Sequence, residues 1–309
     1  MKRLVPAAAV AAVLLTGASA QALRLPAARH CPVFPATSAW NQRVDRLPVA
    51  ADSAQLIASI GLDSPVHADF GSGTWDGGPI GIPFDVVSRR TPRTRVSFDY
   101  ADESDRVRYP IPRGVHIEGG PHATGDRHAI LVDKSACRLY ELYDLQHATH
   151  GWTAGSGAVW SLRSNHLRPA GWTSADAAGL PIFPGLARWD EVAHGTIDHA
   201  LRFTAPRTRR AYVYPARHYA SSSNDPSLPP MGLRVRLKMS VNVASFPRQA
   251  RVVLRALQRY GMILADNGSP WYVSGAPNRH WSNDDLHSLG RLTGADFEVV
   301  DTSSLPGPG

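Results

Sequence analysis

The side chains that could move protons or hold an anion concentrate between Glu118 and His218. Glu118, His122, Asp126, Arg127 and His128 lie on a Gly-rich approach to a strand. Alternation along a strand puts Arg127 and Asp133 on one face and His128, Ile130 and Val132 on the other, while Glu141 and Tyr143 share a face of the next strand. An arginine or histidine beside a carboxylate on a concave face could bind a sugar or an acid and transfer a proton. The competing reading is a turn acid, a surface arginine and a core histidine. A second group, Trp172, Ser174 and Asp176, falls in the long irregular stretch 165–185, of a kind usually functional or tightly packed. Trp172 could be a stacking platform and Asp176 a polar contact; equally, Trp172 could be core and Ser174 a helix cap. In the third group, 196–203, His199 shares an apolar face with Ile197, Leu201 and Phe203, opposite Asp198 and Arg202. A histidine there reads first as core, although it titrates near neutral pH. His218 opens a Ser-rich loop and is expected at the surface, as a substrate contact.

Two chemistries use these residues. Glycoside hydrolysis needs one protonated and one ionised carboxyl, a pair drawn from Glu118, Asp126, Glu141 and Asp176. Elimination needs a base, His128 or His199, with Arg127 or Arg202 neutralising a uronate. Eight tryptophans and nine tyrosines, with Trp40, Trp75, Trp152, Trp172 and Trp281 in loop-like contexts, suit pyranose stacking. The leading expectation is a carbohydrate-active protein, a polysaccharide hydrolase or lyase. The alternative is a non-catalytic glycan-binding or envelope-associated protein. An esterase or peptidase built on Ser174 lacks a supporting motif, since no Gly-x-Ser-x-Gly elbow is present, and neither is a His-Glu-x-x-His helix, a P-loop or a dinucleotide fingerprint. The Glu-x-Asp-x-x-Glu strand of sandwich-fold glucanases is missing too. The acidic stretch 99–105 lacks calcium-loop spacing, and His147 with His150 lacks further zinc ligands. Neither metal nor cofactor is expected.

Positioning these residues falls mostly to strands. The clearest is 232–241, where Leu233, Val235, Leu237, Met239 and Val241 alternate with Arg234, Arg236, Lys238 and Ser240, predicting one buried and one wet face. Runs 127–133 and 137–144 predict an antiparallel hairpin, and 262–266 with 271–274 another, around Asn267-Gly268. Further strands are expected at 96–100, 158–162, 196–204, 211–215 and 297–301. One amphipathic helix is expected over 247–260, capped by Ser245 and ended by Gly261. Shorter helices are expected at 51–60, 174–178 and 189–193. Together these predict a mainly β single domain over 21–309, an antiparallel β-sandwich or jelly roll with peripheral helices.

The stretches Asp69-Phe-Gly-Ser-Gly-Thr-Trp75, Gly125-Asp-Arg-His128 and Gly171-Trp-Thr-Ser-Ala-Asp-Ala-Ala-Gly179 resemble those of a family of secreted bacterial proteins to which no activity is attached. The resemblance runs through most of the mature chain. It implies a shared export route and fold, and carries no catalytic role.

Compartment follows from the first residues. Met1-Lys2-Arg3, an apolar run to Leu15 and an Ala-x-Ala site ending at Ala20 read as a signal peptide. That run is shorter than the ~20 apolar residues of a spanning helix. The mature protein is expected to be secreted, extracellular or periplasmic, without membrane attachment. The two cysteines, Cys31 and Cys137, are then free to pair. A net charge of +7, carried almost wholly by arginine, is dispersed along the sequence. No nucleic-acid-binding motif gathers it, so it reads first as a solvated surface; the expected partner, a glycan, rests on the aromatic residues instead.

Overall fold

The computed structural model describes residues 24–305. The expected signal peptide lies outside these residues. Along the chain, helix α1 (Ser53–Gly61) precedes strands β1 (His67–Asp69), β2 (Thr74–Trp75), β3 (Gly78–Pro79), β4 (Phe84–Val87) and β5 (Val96–Phe98). There follow β6 (Ala129–Asp133), β7 (Arg138–Tyr143), β8 (Gln146–Ala148), β9 (Gly151–Ala154) and β10 (Ser156–Ser161). The remainder holds α2 (Trp189–His194), β11 (Leu201–Ala205), β12 (Arg234–Leu237), α3 (Arg248–Arg259), β13 (Met262–Asn267), β14 (Tyr272–Ser274), α4 (Asn283–His287) and β15 (Phe297–Val299).

The protein is mostly sheet, with few helices. Six strands form a mixed sheet in the order β1-β14-β11-β13-β12-β15, and four form a second in the order β10-β7-β6-β4. A β2–β3 hairpin and a β5-β9-β8 sheet complete the set. Antiparallel pairing dominates where it was expected, in β6–β7–β10. Four pairs, β1–β14, β11–β13, β4–β6 and β5–β9, are instead parallel.

Alternation along β6 and β7 explains why both faces of the second sheet are covered. Ile130, Val132 and Leu139 pack with Val33, Trp160 and Phe183, while Leu131, Tyr140 and Leu142 face Tyr109, Val87 and Ile111. The six-stranded sheet has its own core, to which α3 contributes Ala250, Val253, Leu254 and Leu257 as predicted. Gly261 ends that helix with φ +66°, and a Cβ there would sit 2.2 Å from the Val235 carbonyl oxygen. Cys31 and Cys137 form the expected disulfide, pinning the N-terminal segment beside β7.

Several local expectations fail for long-range reasons. The arginine face of 232–241 is not wet: Arg234 and Arg236 are both buried. The segment 39–48 covers it, and Arg234 donates to the carbonyls of Ala39 and Gln42, Arg236 to those of Val44 and Leu47. Glu298 on β15 adds an ion pair to Arg236 at 2.7 Å. The strands around Asn267-Gly268 do not pair with each other, because β11 lies between them, parallel to β13 and antiparallel to β14. The link stays close by hydrogen-bonding the end of β11, through Gly268 N–H to Ala205 O and Trp271 N–H to Thr204 O. The strand expected over 196–204 begins only at Leu201, and 211–215 contributes a single bridge, Tyr212 to Met231. No helix forms at 174–178. Short α4 was not foreseen, although Ser282 accepts the Asp285 N–H as an ordinary N-cap.

Candidate functional site

The irregular stretch 173–187 is packed between the two larger sheets. On one side Glu141, from β7, accepts the N–H groups of Ile182 and Phe183 at 2.8 Å each. On the other, Ala178 N–H donates to Ala265 O on β13 and Ala187 N–H to Ser274 O on β14. The Ser174 hydroxyl is absorbed by the turn, donating to Leu180 O at 2.6 Å. This connection brings residues of β6, β7, β11 and β13 to one junction.

Two clefts matter here, of which only the second is lined by that connection. The first, of about 610 Å³, is walled by His67 and Asp69 of β1, the β2–β3 hairpin, the 118–126 loop and Tyr272. The second, of about 430 Å³, is lined by Glu103, Tyr143, Ser174, Asp176, His218 and Asp266 among others. Asp126 borders both clefts.

The hairpin over the first cleft is built by its turn. Asp76 and Gly77 have φ of +50° and +85°, the sign a two-residue type I′ turn needs at both central positions. This leaves Trp75 80% exposed at the rim. Gly78 lies against Gly119 so closely that a Cβ would meet the Gly119 carbonyl at 2.1 Å.

Behind the wall runs an ion network. His128 Nδ1 lies 2.5 Å from Glu118 Oε2, and Nε2 lies 2.8 Å from the Ala175 carbonyl oxygen. Both partners are acceptors, so both nitrogens donate and the ring is an imidazolium. Burial opposes that charge, but the Glu118 carboxylate more than offsets it and lifts the His128 pKa to about 9. In return, although burial would raise Glu118, the charge and hydrogen bond of His128 hold its carboxyl below the usual range. Arg202 pairs with Asp176 at 3.1 Å, stands 3.9 Å from Asp266 and donates to Ser274 Oγ at 2.7 Å. Burial, with the neighbouring Asp266 charge, holds Asp176 above the ordinary range against the pull of Arg202.

Asp69 differs from all of these. It is open to the cleft yet surrounded by protein, and this partial desolvation, with the Glu118 charge, raises its carboxyl above the usual range. One cleft therefore holds two carboxyls displaced in opposite directions.

The residues singled out from sequence separate into three sets. Glu118 and Asp126 face the first cleft; Asp126, Asp176 and His218 line the second, His218 Nδ1 lying 2.8 Å from the Ala177 carbonyl oxygen. His128 and Arg202 are buried behind the walls. Arg127 leaves the strand with φ +49° and donates to the carbonyls of Leu145, Pro121 and Ala123, clamping the 118–126 loop. Buried Glu141 holds the 182–183 turn, and burial lifts its carboxyl to about 7 despite the two N–H donors. His199 lies apart from both clefts, fully buried, with Nε2 3.1 Å from Glu191 and Nδ1 2.7 Å from Ala200 O. Trp172 lines neither cleft; the Arg168 guanidinium lies 5.5 Å from its ring centre. Trp40 and Trp281 are core residues.

Sequence reasoning passed over Asp69 and Asp266 as site residues. Asp266 was countable as the end of a strand, but Asp69 has no periodic signal; only the Asp-Gly hairpin beside it was available. Among the described residues, His30, Cys31 and Cys137 lie within metal-ligating range of one another, but both sulfurs belong to the disulfide. No helix among the described residues is long and apolar enough to cross a membrane. No family model, curated protein or solved structure matches the chain.

Proposed function

We propose that this is a secreted glycoside hydrolase acting in the first cleft, with Asp69 as proton donor and Glu118 as the ionised partner. One observation carries the proposal: two carboxyls facing the same cleft are held on opposite sides of their ordinary range, Asp69 toward the acid and Glu118 toward the carboxylate. In the step this supports, Asp69 gives its proton to the departing glycosidic oxygen as the bond to the anomeric carbon breaks. Glu118 meets the positive charge that develops on the ring, and water completes the hydrolysis. Glu118 Oε2 is taken by His128, which leaves Oε1 for the substrate. The exposed Trp75 and the half-buried Tyr272 supply apolar surface for a sugar ring.

Elimination is the weaker of the two chemistries weighed. Its candidate bases, His128 and His199, are closed to solvent with both ring nitrogens engaged, and its candidate cations, Arg127 and Arg202, are buried. Secretion remains part of the proposal, in keeping with the disulfide. So does the two-layer sandwich expected from sequence, with the site between the β1 edge of the six-stranded sheet and the 118–126 loop that leads toward β6.

The test is to incubate the purified protein with a panel of neutral and charged polysaccharides, following new reducing ends and the absorbance of unsaturated products. Reducing ends without added absorbance are expected. Unsaturated products would replace hydrolysis by elimination, and retention on a glycan without any cleavage would replace the enzyme by a binding protein.

A further inference from the structure

We infer that the cleft takes a cationic glycan, a hexosamine polymer with free amino groups, rather than a neutral or a uronate chain. The inference rests on the glycosidase reading and adds the substrate class. The protein carries 33 lysines and arginines against 26 acids, yet among the described residues no lysine or arginine lines either cleft. Asp69, Asp76, Glu118 and Asp126 line the first, where among the described residues only His67 and His287 offer side chains able to carry positive charge. His128 and Arg202 behind the wall offset part of the charge at Glu118 and Asp176. Asp76 and Asp126 have no such partner: among the described residues no protein donor reaches their carboxylate oxygens within hydrogen-bond distance. Two unsatisfied acceptors therefore line a cleft with an exposed tryptophan at its rim, while the protonated Asp69 is kept for the departing oxygen. Ammonium groups along a sugar chain would satisfy them, whereas a uronate would be repelled and a neutral chain would leave the charges unmatched. The dispersed surface arginines do not cancel this local field, because charges more than about 8 Å apart are screened at physiological salt.

The experiment titrates the mature protein with glucosamine hexamer, N-acetylglucosamine hexamer and galacturonic acid hexamer, following tryptophan fluorescence at low and high salt and reducing ends in the same samples. Glucosamine hexamer should bind roughly tenfold more tightly than its acetylated counterpart, and about 1 M salt should erase the difference, since screening at that strength acts within a few Å. Asp76→Asn keeps a residue type that accepts positive φ, so the turn survives while one charge is lost. It should weaken glucosamine binding several-fold and leave acetylated binding unchanged. Equal or tighter binding of the acetylated or galacturonate hexamer, or no binding of glucosamine hexamer, overturns the inference. Cleavage of a neutral chain without charge preference would remove this inference and leave the hydrolase reading standing. Salt-sensitive glucosamine binding without cleavage would do the reverse.

Discussion

Glu118 is made an anion by His128, and that dependence can be measured through stability. The His128 pKa is raised above its ordinary 6.5 to about 9, so its contribution is whole below about 6.5 and is lost as pH rises through about 9. Glu118 is depressed, so its contribution is present above about 4.5 and lost as pH falls below that value. Thermal unfolding should therefore show highest stability between these limits. His128→Gln should cost about 2 kcal/mol, less than a fully enclosed pair because Glu118 is a quarter exposed, and should flatten the alkaline decline. An unchanged alkaline decline in that variant would show the proton to be elsewhere. The pairing was not legible in the sequence: Glu118 and His128 stand ten residues apart on opposite sides of an irregular loop, and no period links them. Their residue types were, as was His199 read as core. Asp69 was invisible as an acid because its environment comes from the 118–126 loop, far along the chain.

At the scale of elements, the β2–β3 hairpin and the loop carrying Glu118 form one unit through the Gly78–Gly119 contact. Gly78→Ala should push them apart, cost about 1–3 kcal/mol and raise KM roughly tenfold or more, since small displacements of positioning groups are felt strongly. Calorimetry and steady-state kinetics on the same preparation would check it. The β2–β3 hairpin was not among the expected elements, although Asp76-Gly77 is a turn signal in the sequence; helix α3 was legible as an apolar stripe. The 232–241 strand was legible in its alternation but not in its environment. The carbonyls that satisfy Arg234 and Arg236 come from Ala39 and Val44, 195 and 192 residues away, and local pattern contains nothing about such a cover. The insertion of β11 between β13 and β14 is the same kind of event: a long-range pairing displacing a sound local signal.

Across the whole molecule, the Cys31–Cys137 bridge closes a loop with a sequence separation of 106. In the chain-entropy account, a loop of that size contributes about 4 to 5 kcal/mol, and reduction should lower unfolding stability by up to that amount. Denaturant titration with and without reductant measures it; no change would mean that packing around Leu25 and Val33 already holds the N-terminal segment. The predominance of sheet was readable from frequent short apolar runs between Pro and Gly turns. The parallel pairs were not, because they join strands separated by whole sections of chain. The junction of the two larger sheets depends on the 173–187 connection; the length of the 165–185 stretch marked it as important without showing what it binds.

The most direct test of the account is the pH dependence of kcat/KM for hydrolysis of the best glycan, measured for the wild type, Asp69→Asn and Glu118→Gln. A bell with an acidic optimum is predicted, its lower limb from the depressed Glu118 and its upper limb from the raised Asp69. Each variant, folded as judged by circular dichroism, should lose about 10²–10⁴-fold in rate. Undiminished hydrolysis by either folded variant would contradict the assignment of this pair.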